Sequence, residues 1–140
     1  MTTTSTDTHV FADTGAWFAL ADQSDNHHME AVAVYSQLLQ TTSLLMTNLV
    51  VAETYTLIRR ALGQKAAVLF LESIAASPRV AVIYSDARLE SIAETILRKY
   101  HDQDFSYTDA VSFAAMRDRA IKRAFAFDKH FLTAGFTLIP

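Results

Sequence analysis

The stretch His9-Val10-Phe11-Ala12-Asp13 closes a short apolar run on an acid, and Ala124-Phe125-Ala126-Phe127-Asp128 repeats that arrangement near the other end of the chain. A short apolar run bounded by polar residues reads as a strand buried within a sheet. Between the two runs, longer segments of helical periodicity alternate with further short apolar stretches. Strands separated by helices require crossover connections, which give a mostly parallel sheet covered on both faces. The expected class is therefore α/β, a three-layer α/β/α arrangement around a five-stranded sheet.

Working outward, strands are expected at 9–12, 43–47, 79–84, 123–127 and 136–139. Helices are expected at 14–22, 26–40, 48–62, 64–76, 86–100 and 106–120. Asn26 and Asn48 stand where helix caps belong, and Gly63 and Ser77-Pro78 are natural stops. With 140 residues, about half of them apolar, the chain suits one domain with a proper core, spanning 9–140 after a flexible Thr-rich start at 1–8. No apolar run approaches the ~20 residues that cross a bilayer. The first residues lack the basic and apolar regions of a secretory signal. Without cysteine there is neither a disulfide framework nor a thiolate metal site, which fits a reducing cytoplasm. Charge is unevenly spread. Residues 1–58 hold six acids and no Lys or Arg, whereas 59–140 hold all twelve basic residues with nine acids. That asymmetry permits a basic face for nucleic acid, and ordinary solvated helix faces explain it equally well.

Four acids stand out: Asp13, Glu53, Asp109 and Asp128. Asp13 and Asp128 end apolar strands, Glu53 falls between Val50 and Leu57 on a helical face, and Asp109 opens a helix with an apolar inner face. Burying a carboxylate without a partner costs several kcal/mol or more. In an open parallel sheet, sites form beyond the carboxyl ends of the strands. Topology brings Asp13, Glu53 and Asp128 to that edge. Asp109 joins them only if the loop before its helix climbs there. Three of the four also have a local explanation: Asp13 as a helix cap, Asp128 as a cap for the turn Lys129-His130-Phe131, and Asp109 as the return partner of Ser106 in a capping box. Glu53 has none. Taken together, the four are better explained by a shared divalent cation. Hard oxygen ligands without cysteine favour Mg²⁺ or Mn²⁺ over zinc, and such sites suit phosphodiester hydrolysis.

Four segments in order carry a family resemblance across about residues 9–140: Phe11-Ala12-Asp13-Thr14, Thr47-Asn48-Leu49-Val50-Val51-Ala52-Glu53, Phe105-Ser106-Tyr107-Thr108-Asp109-Ala110 and Ala126-Phe127-Asp128-Lys129-His130-Phe131. The chain resembles PIN-domain proteins, and its length resembles VapC-type toxins of bacterial toxin–antitoxin pairs. The resemblance implies a strand order of 3-2-1-4-5 and a Mg²⁺- or Mn²⁺-dependent ribonuclease cutting single-stranded RNA. It maps Asp13, Glu53, Asp109 and Asp128 onto the family's acidic quartet. Asp104 matches a frequent extra acid, and Thr14, Asn48 and Ser106 match accessory polar positions, with capping the stronger reading for the last two. A homodimer and an inhibitory antitoxin are implied as partners. The alternatives are a catalytically silent module that binds RNA or protein, and a housekeeping RNA-processing nuclease.

Other features carry less. His101-Asp102 looks like the dipeptide of HD-type phosphohydrolases, but those are all-helical. Adjacent His27 and His28 point apart on a helix and are expected in solvent. Arg117, Arg119, Lys122, Arg123 and Lys129 suit RNA phosphates or a helix C-terminus. Trp17 and Phe18 suit the core or a dimer contact.

Overall fold

The structure, a computed structural model, describes residues 8–140; the expectation of a flexible start at 1–8 falls almost wholly outside the described residues. The elements follow in the order β1 (His9–Ala12), α1 (Thr14–Ala21), α2 (His28–Thr41), β2 (Ser43–Thr47), α3 (Asn48–Leu62), α4 (Gln64–Ala76), β3 (Val80–Ile83), α5 (Ala87–Lys99), α6 (Tyr107–Asp118), β4 (Arg123–Phe125), α7 (His130–Thr133) and β5 (Thr137–Ile139). All five strands pair in parallel, in the order β3-β2-β1-β4-β5. Helices α1 to α4 carry the chain outward from β1 to β3. Helices α5 and α6 bring it back past β1 to β4, and right-handed crossovers put these two sets on opposite faces of the sheet. The strand order reverses between β1 and β4, and that crevice is where the site belongs.

The central strand decides most of the packing. Val10, Phe11 and Ala12 are wholly buried, and Phe11 pairs with Leu45 on one side and Ala124 on the other. A strand covered on both faces has no polar alternation, which is why its sequence is an unbroken apolar run. Helix α6 is buried from Asp109 to Met116, nearly all round, and Phe113 on it packs edge-on to Phe131 with ring centroids 4.9 Å apart. Phe131 also meets Phe11. The short α7 is thus pinned to the core, and the residues just before it inherit a fixed position.

Several expected ends shift by one or two residues, and two of these shifts and one cap have a clear cause. Helix α2 begins at His28 rather than at Asn26, because Asp22 and Asp25 take the local amides first. Their carboxylates accept from Ser24 N at 2.9 Å and from His27 N at 2.8 Å, making turns that compete with helix. Thr47, not Asn48, caps α3 by accepting from Val50 N. Asn48 Oδ1 instead accepts from Ser85 N at 2.8 Å, joining the start of α3 to the loop after β3. Strand β4 stops at Phe125, two residues short of the apolar run, since β5 is itself only three residues long.

Among the less informative features, Trp17 lies in the core, donating from Nε1 to Ala12 O and packing edge-on to Tyr35 and Phe70. His27 and His28 do point apart, but neither is simply solvated. His27 stacks on Phe127, and His28 Nδ1 lies 2.7 Å from Ala19 O.

Candidate metal centre

Asp13 follows β1 directly, and its amide donates to Phe125 O at the end of β4, 3.1 Å away. This one bond seats Asp13 at the switch point, between the two central strands. Its side chain makes no helix cap, so the local explanation for this acid fails. The residue is only 5% exposed. Burial pushes its carboxyl up to about 7. A hydrogen bond from the Thr14 amide opposes that rise, while the charges of Asp109, Asp128 and Glu53 add to it. The three other acids singled out in the sequence are therefore the charges that Asp13 senses.

Asp109 is the other buried acid, 8% exposed. It completes a capping box: Ser106 Oγ accepts from the Asp109 amide, and Asp109 Oδ2 accepts from the Ser106 amide, both at 3.0 Å. The capping role and the convergence on Asp13 coexist, because the box uses one carboxylate oxygen and leaves the other free. The loop before α6 does climb to the site edge, the step that topology alone left open.

Asp128 is half-buried. Its Oδ1 accepts from the His130 amide at 2.8 Å, the local turn expected for it. His130 then does something the sequence reading missed. Its Nδ1 lies 3.0 Å from Asp109 Oδ2 and 3.2 Å from Asp128 Oδ2. Ionised carboxylates only accept, so the contact needs the proton on Nδ1. Asp109, Asp128 and His130 each present a ligand atom within 4.8 Å of the others. The available signal is spacing: a histidine two residues past Asp128, just before the apolar Phe131, stays within reach of the strand-end acids.

Glu53 departs from expectation. The buried stripe of α3 is Val50, Thr54 and Ile58, and Glu53 lies on the exposed side with Leu57. It interrupts no apolar face. What ties it to the site is Thr14, whose Oγ1 donates to Glu53 Oε1 at 2.7 Å. Among the accessory positions, Thr14 and Ser106 thus touch members of the quartet, and Asn48 bonds to Ser85 elsewhere on the same edge. Asp104 is exposed in the loop before α6 and, among the described residues, makes no hydrogen bond or ion pair. His101 and Asp102 are also exposed and belong to no cluster of metal-ligating groups among the described residues.

The basic residues sort by topology. Helix α6 runs from the site edge to the opposite edge, and its 12 residues rise about 18 Å. Arg117, Arg119, Lys122 and Arg123, at the end of α6 and the start of β4, therefore lie far from the acids. Only Lys129 of that set adjoins them.

A parallel sheet in this order, with acids gathered at its switch point, defines a class of α/β proteins built around an acid-lined crevice. The PIN domain model matches residues 10–136, and the chain belongs to that family. A curated relative from Mycobacterium tuberculosis (strain H37Rv), named as the 23S rRNA-specific endonuclease VapC20, is 36% identical over 127 residues, covering 91% of this chain and 95% of the relative. A protein of Archaeoglobus fulgidus named as VapC ribonuclease is 32% identical over 113 residues, covering 79% of this chain and 71% of the relative. The crystal structure of M. tuberculosis VapC20, described as a sarcin-ricin loop cleaving toxin, superposes with a TM-score of 0.85 at 35% identity, covering 91% of this chain and 96% of that one.

Proposed function

We propose that this chain is a divalent-metal-dependent endoribonuclease and the toxin of a toxin–antitoxin pair, with Asp13, Glu53, Asp109 and Asp128 holding Mg²⁺ or Mn²⁺. The observation that carries this reading is Asp13: a carboxyl at the switch point, pushed up to about 7 by burial and, to a lesser degree, by the charges of Asp109, Asp128 and Glu53. Among the described residues, the nitrogen of His130 is the one donor shared by two of them. A fold does not gather four acids without a use for the cost.

The donor set fits a hard cation. Its oxygens suit Mg²⁺ or Mn²⁺, and no thiolate is present to favour a softer metal. The ion, when bound, would offset the repulsion among the acids and supply Lewis-acid polarisation of a phosphodiester. The chain's own part is orientation. The Ser106 amide and His130 Nδ1 hold one oxygen of Asp109, leaving the other free. The His130 amide holds Asp128, and Thr14 holds the exposed Glu53 against the buried Asp13. Of the four acids, Asp109 and Asp128 already present ligand atoms within 4.8 Å of each other, and a bound cation would draw Asp13 and Glu53 to the same centre.

The endonuclease, ribonuclease and toxin names of the relatives support an RNA substrate and a toxin role, and with these go a single-stranded substrate, a cognate antitoxin and a homodimer acting in the cytoplasm as parts of the same proposal. The ribosomal substrate in the name of the M. tuberculosis relative makes 23S rRNA the first RNA to test. The deciding experiment incubates purified protein with total RNA and Mg²⁺ or Mn²⁺ and maps the cut ends. Cleavage should vanish with chelator and in Asp13→Ala and Asp128→Ala. Undiminished cutting by either folded variant would defeat the assignment.

A further inference from the structure

Helix α3 carries a groove from the acid cluster along its exposed side, and the groove has a charge at each end. It encloses about 540 Å³ and is lined by Thr14, Leu49, Glu53, Thr56, Arg60 and Thr108 among others. Thr14 and Glu53 belong to the candidate centre, so the groove opens directly from it. Glu53, Thr56 and Arg60 follow one another at helical spacing, and seven residues of helix place Arg60 about 10 Å along the axis from Glu53. Among the described residues the Arg60 guanidinium has no hydrogen bond and no ion pair. Its neighbour Arg59 sits equally in the last turn of α3 but outside the groove. A favourable interaction with the helix dipole accounts for both arginines. It does not account for one of them reaching the wall of a groove that leads to the acids.

From this we infer that Arg60 binds a backbone phosphate of the RNA strand, next to the phosphate being cut, and so lays the strand along α3. The inference rests on the nuclease reading above. A guanidinium presents a planar fork of donors that matches phosphate oxygens, and a free one needs no ion pair broken first. The threonine hydroxyls of the groove suit phosphate and ribose oxygens, and Leu49 and Leu57 offer apolar surface to a sugar or base. Charge complementarity also favours RNA. The acids repel a polyanion, so the strand needs a cation beside them to approach.

The test measures binding apart from cutting. Fluorescence anisotropy of a labelled single-stranded oligoribonucleotide, with chelator present, is followed across a KCl series for wild type, Arg60→Ala, Arg60→Lys and the control Arg59→Ala. Arg60→Ala should weaken binding roughly tenfold and flatten the log–log salt slope by about 0.7, the value for one lost phosphate contact on a single strand. Arg60→Lys should recover part of the affinity, and Arg59→Ala should change little. With Mn²⁺ added, Arg60→Ala should raise KM with kcat nearly unchanged, while Mn²⁺ affinity by calorimetry and the melting temperature stay at wild-type values. An unchanged slope and KM in Arg60→Ala would overturn the inference. So would a change of molar mass in that variant, which would mean that a second copy of the chain fills the groove. If wild type itself neither binds nor cuts RNA, the nuclease reading fails instead.

Discussion

His130 Nδ1 stands 3.0 Å from Asp109 Oδ2, and the same nitrogen is 3.2 Å from Asp128 Oδ2. One donor thus spans two carboxylates that are 19 residues apart in the chain, one on α6 and the other in the loop between β4 and α7. Each carboxylate has a backbone partner as well, Ser106 N for Asp109 and His130 N for Asp128. The acids are not merely close. They are held with particular oxygens occupied.

This bridge predicts a metal-dependent cost for removing it. His130→Ala should destabilise the metal-free protein by about 1.5–3 kcal/mol, the range for losing a hydrogen bond to charged partners. Saturating Mn²⁺ should shrink that loss, because the cation then relieves the repulsion between Asp109 and Asp128. Melting curves with and without Mn²⁺ check this. An equal loss in both conditions would assign His130 to packing alone, through its edge-on contact with Phe105.

Asp13 sets a pH dependence whose sign can be worked out. Its carboxyl lies near 7 in the folded chain, chiefly through burial, against an ordinary value of 3.8. Between those values the folded state holds a proton that the unfolded state has released, so stability falls as pH rises from about 4 to 7 and stays low above. Without metal, Asp13→Asn should remove this penalty. It should raise stability at pH 8 by up to about 4 kcal/mol, the full linkage value of that rise, with a clear increase in melting temperature, and have little effect at pH 4. A variant equally stabilised at both pH values would point to packing rather than ionisation.

The Thr14–Glu53 bond separates function from stability. Thr14 is buried, but valine has its shape and the acceptor left behind, Glu53, is solvent-exposed, so loss of this 2.7 Å hydrogen bond should cost about 1 kcal/mol. Its orientation toward Asp13 depends on that bond. Thr14→Val should therefore lower the cleavage rate about tenfold with a near-normal melting temperature, and Thr14→Ser should restore most of it. Full activity in Thr14→Val would remove Thr14 from any positioning role.

The sheet was legible because its central strands are buried on both faces, and such strands write themselves as apolar runs ending in acids. The strand order came from the resemblance carried by the four acidic segments, and the pairing of β1 with β2 and β4 agrees with it. Helix starts were less legible. Asn26 lost its cap to the carboxylates of Asp22 and Asp25, a competition among neighbours that a cap preference alone does not rank. Within the site, Asp13 and Asp128 could be placed from strand ends. The positions of Glu53 and His130 depend on contacts made across the fold, with Thr14 in one case and Asp109 in the other. Glu53 lies off the face that its sequence neighbours Val50 and Leu57 suggest, because the buried stripe passes through Thr54.

That stripe of topology also bears on how RNA reaches the site. Arg117, Arg119 and Lys122 form the densest run of positive charge in the sequence, and all three side chains are exposed. Composition alone nominates them as an RNA surface. Helix α6, however, starts at the acids and carries these residues about 18 Å away, beyond the ~8 Å over which exposed charges interact at physiological salt. Replacing Arg117, Arg119 and Lys122 together by alanine should leave KM and kcat for a short single-stranded RNA within about twofold of wild type. A long structured RNA, able to touch both ends of the molecule, should bind more weakly and with a flatter salt dependence. Steady-state kinetics on the two substrates side by side check this. A large rise in KM for the short RNA would mean that the strand runs over the α6 end of the molecule, away from the groove on α3.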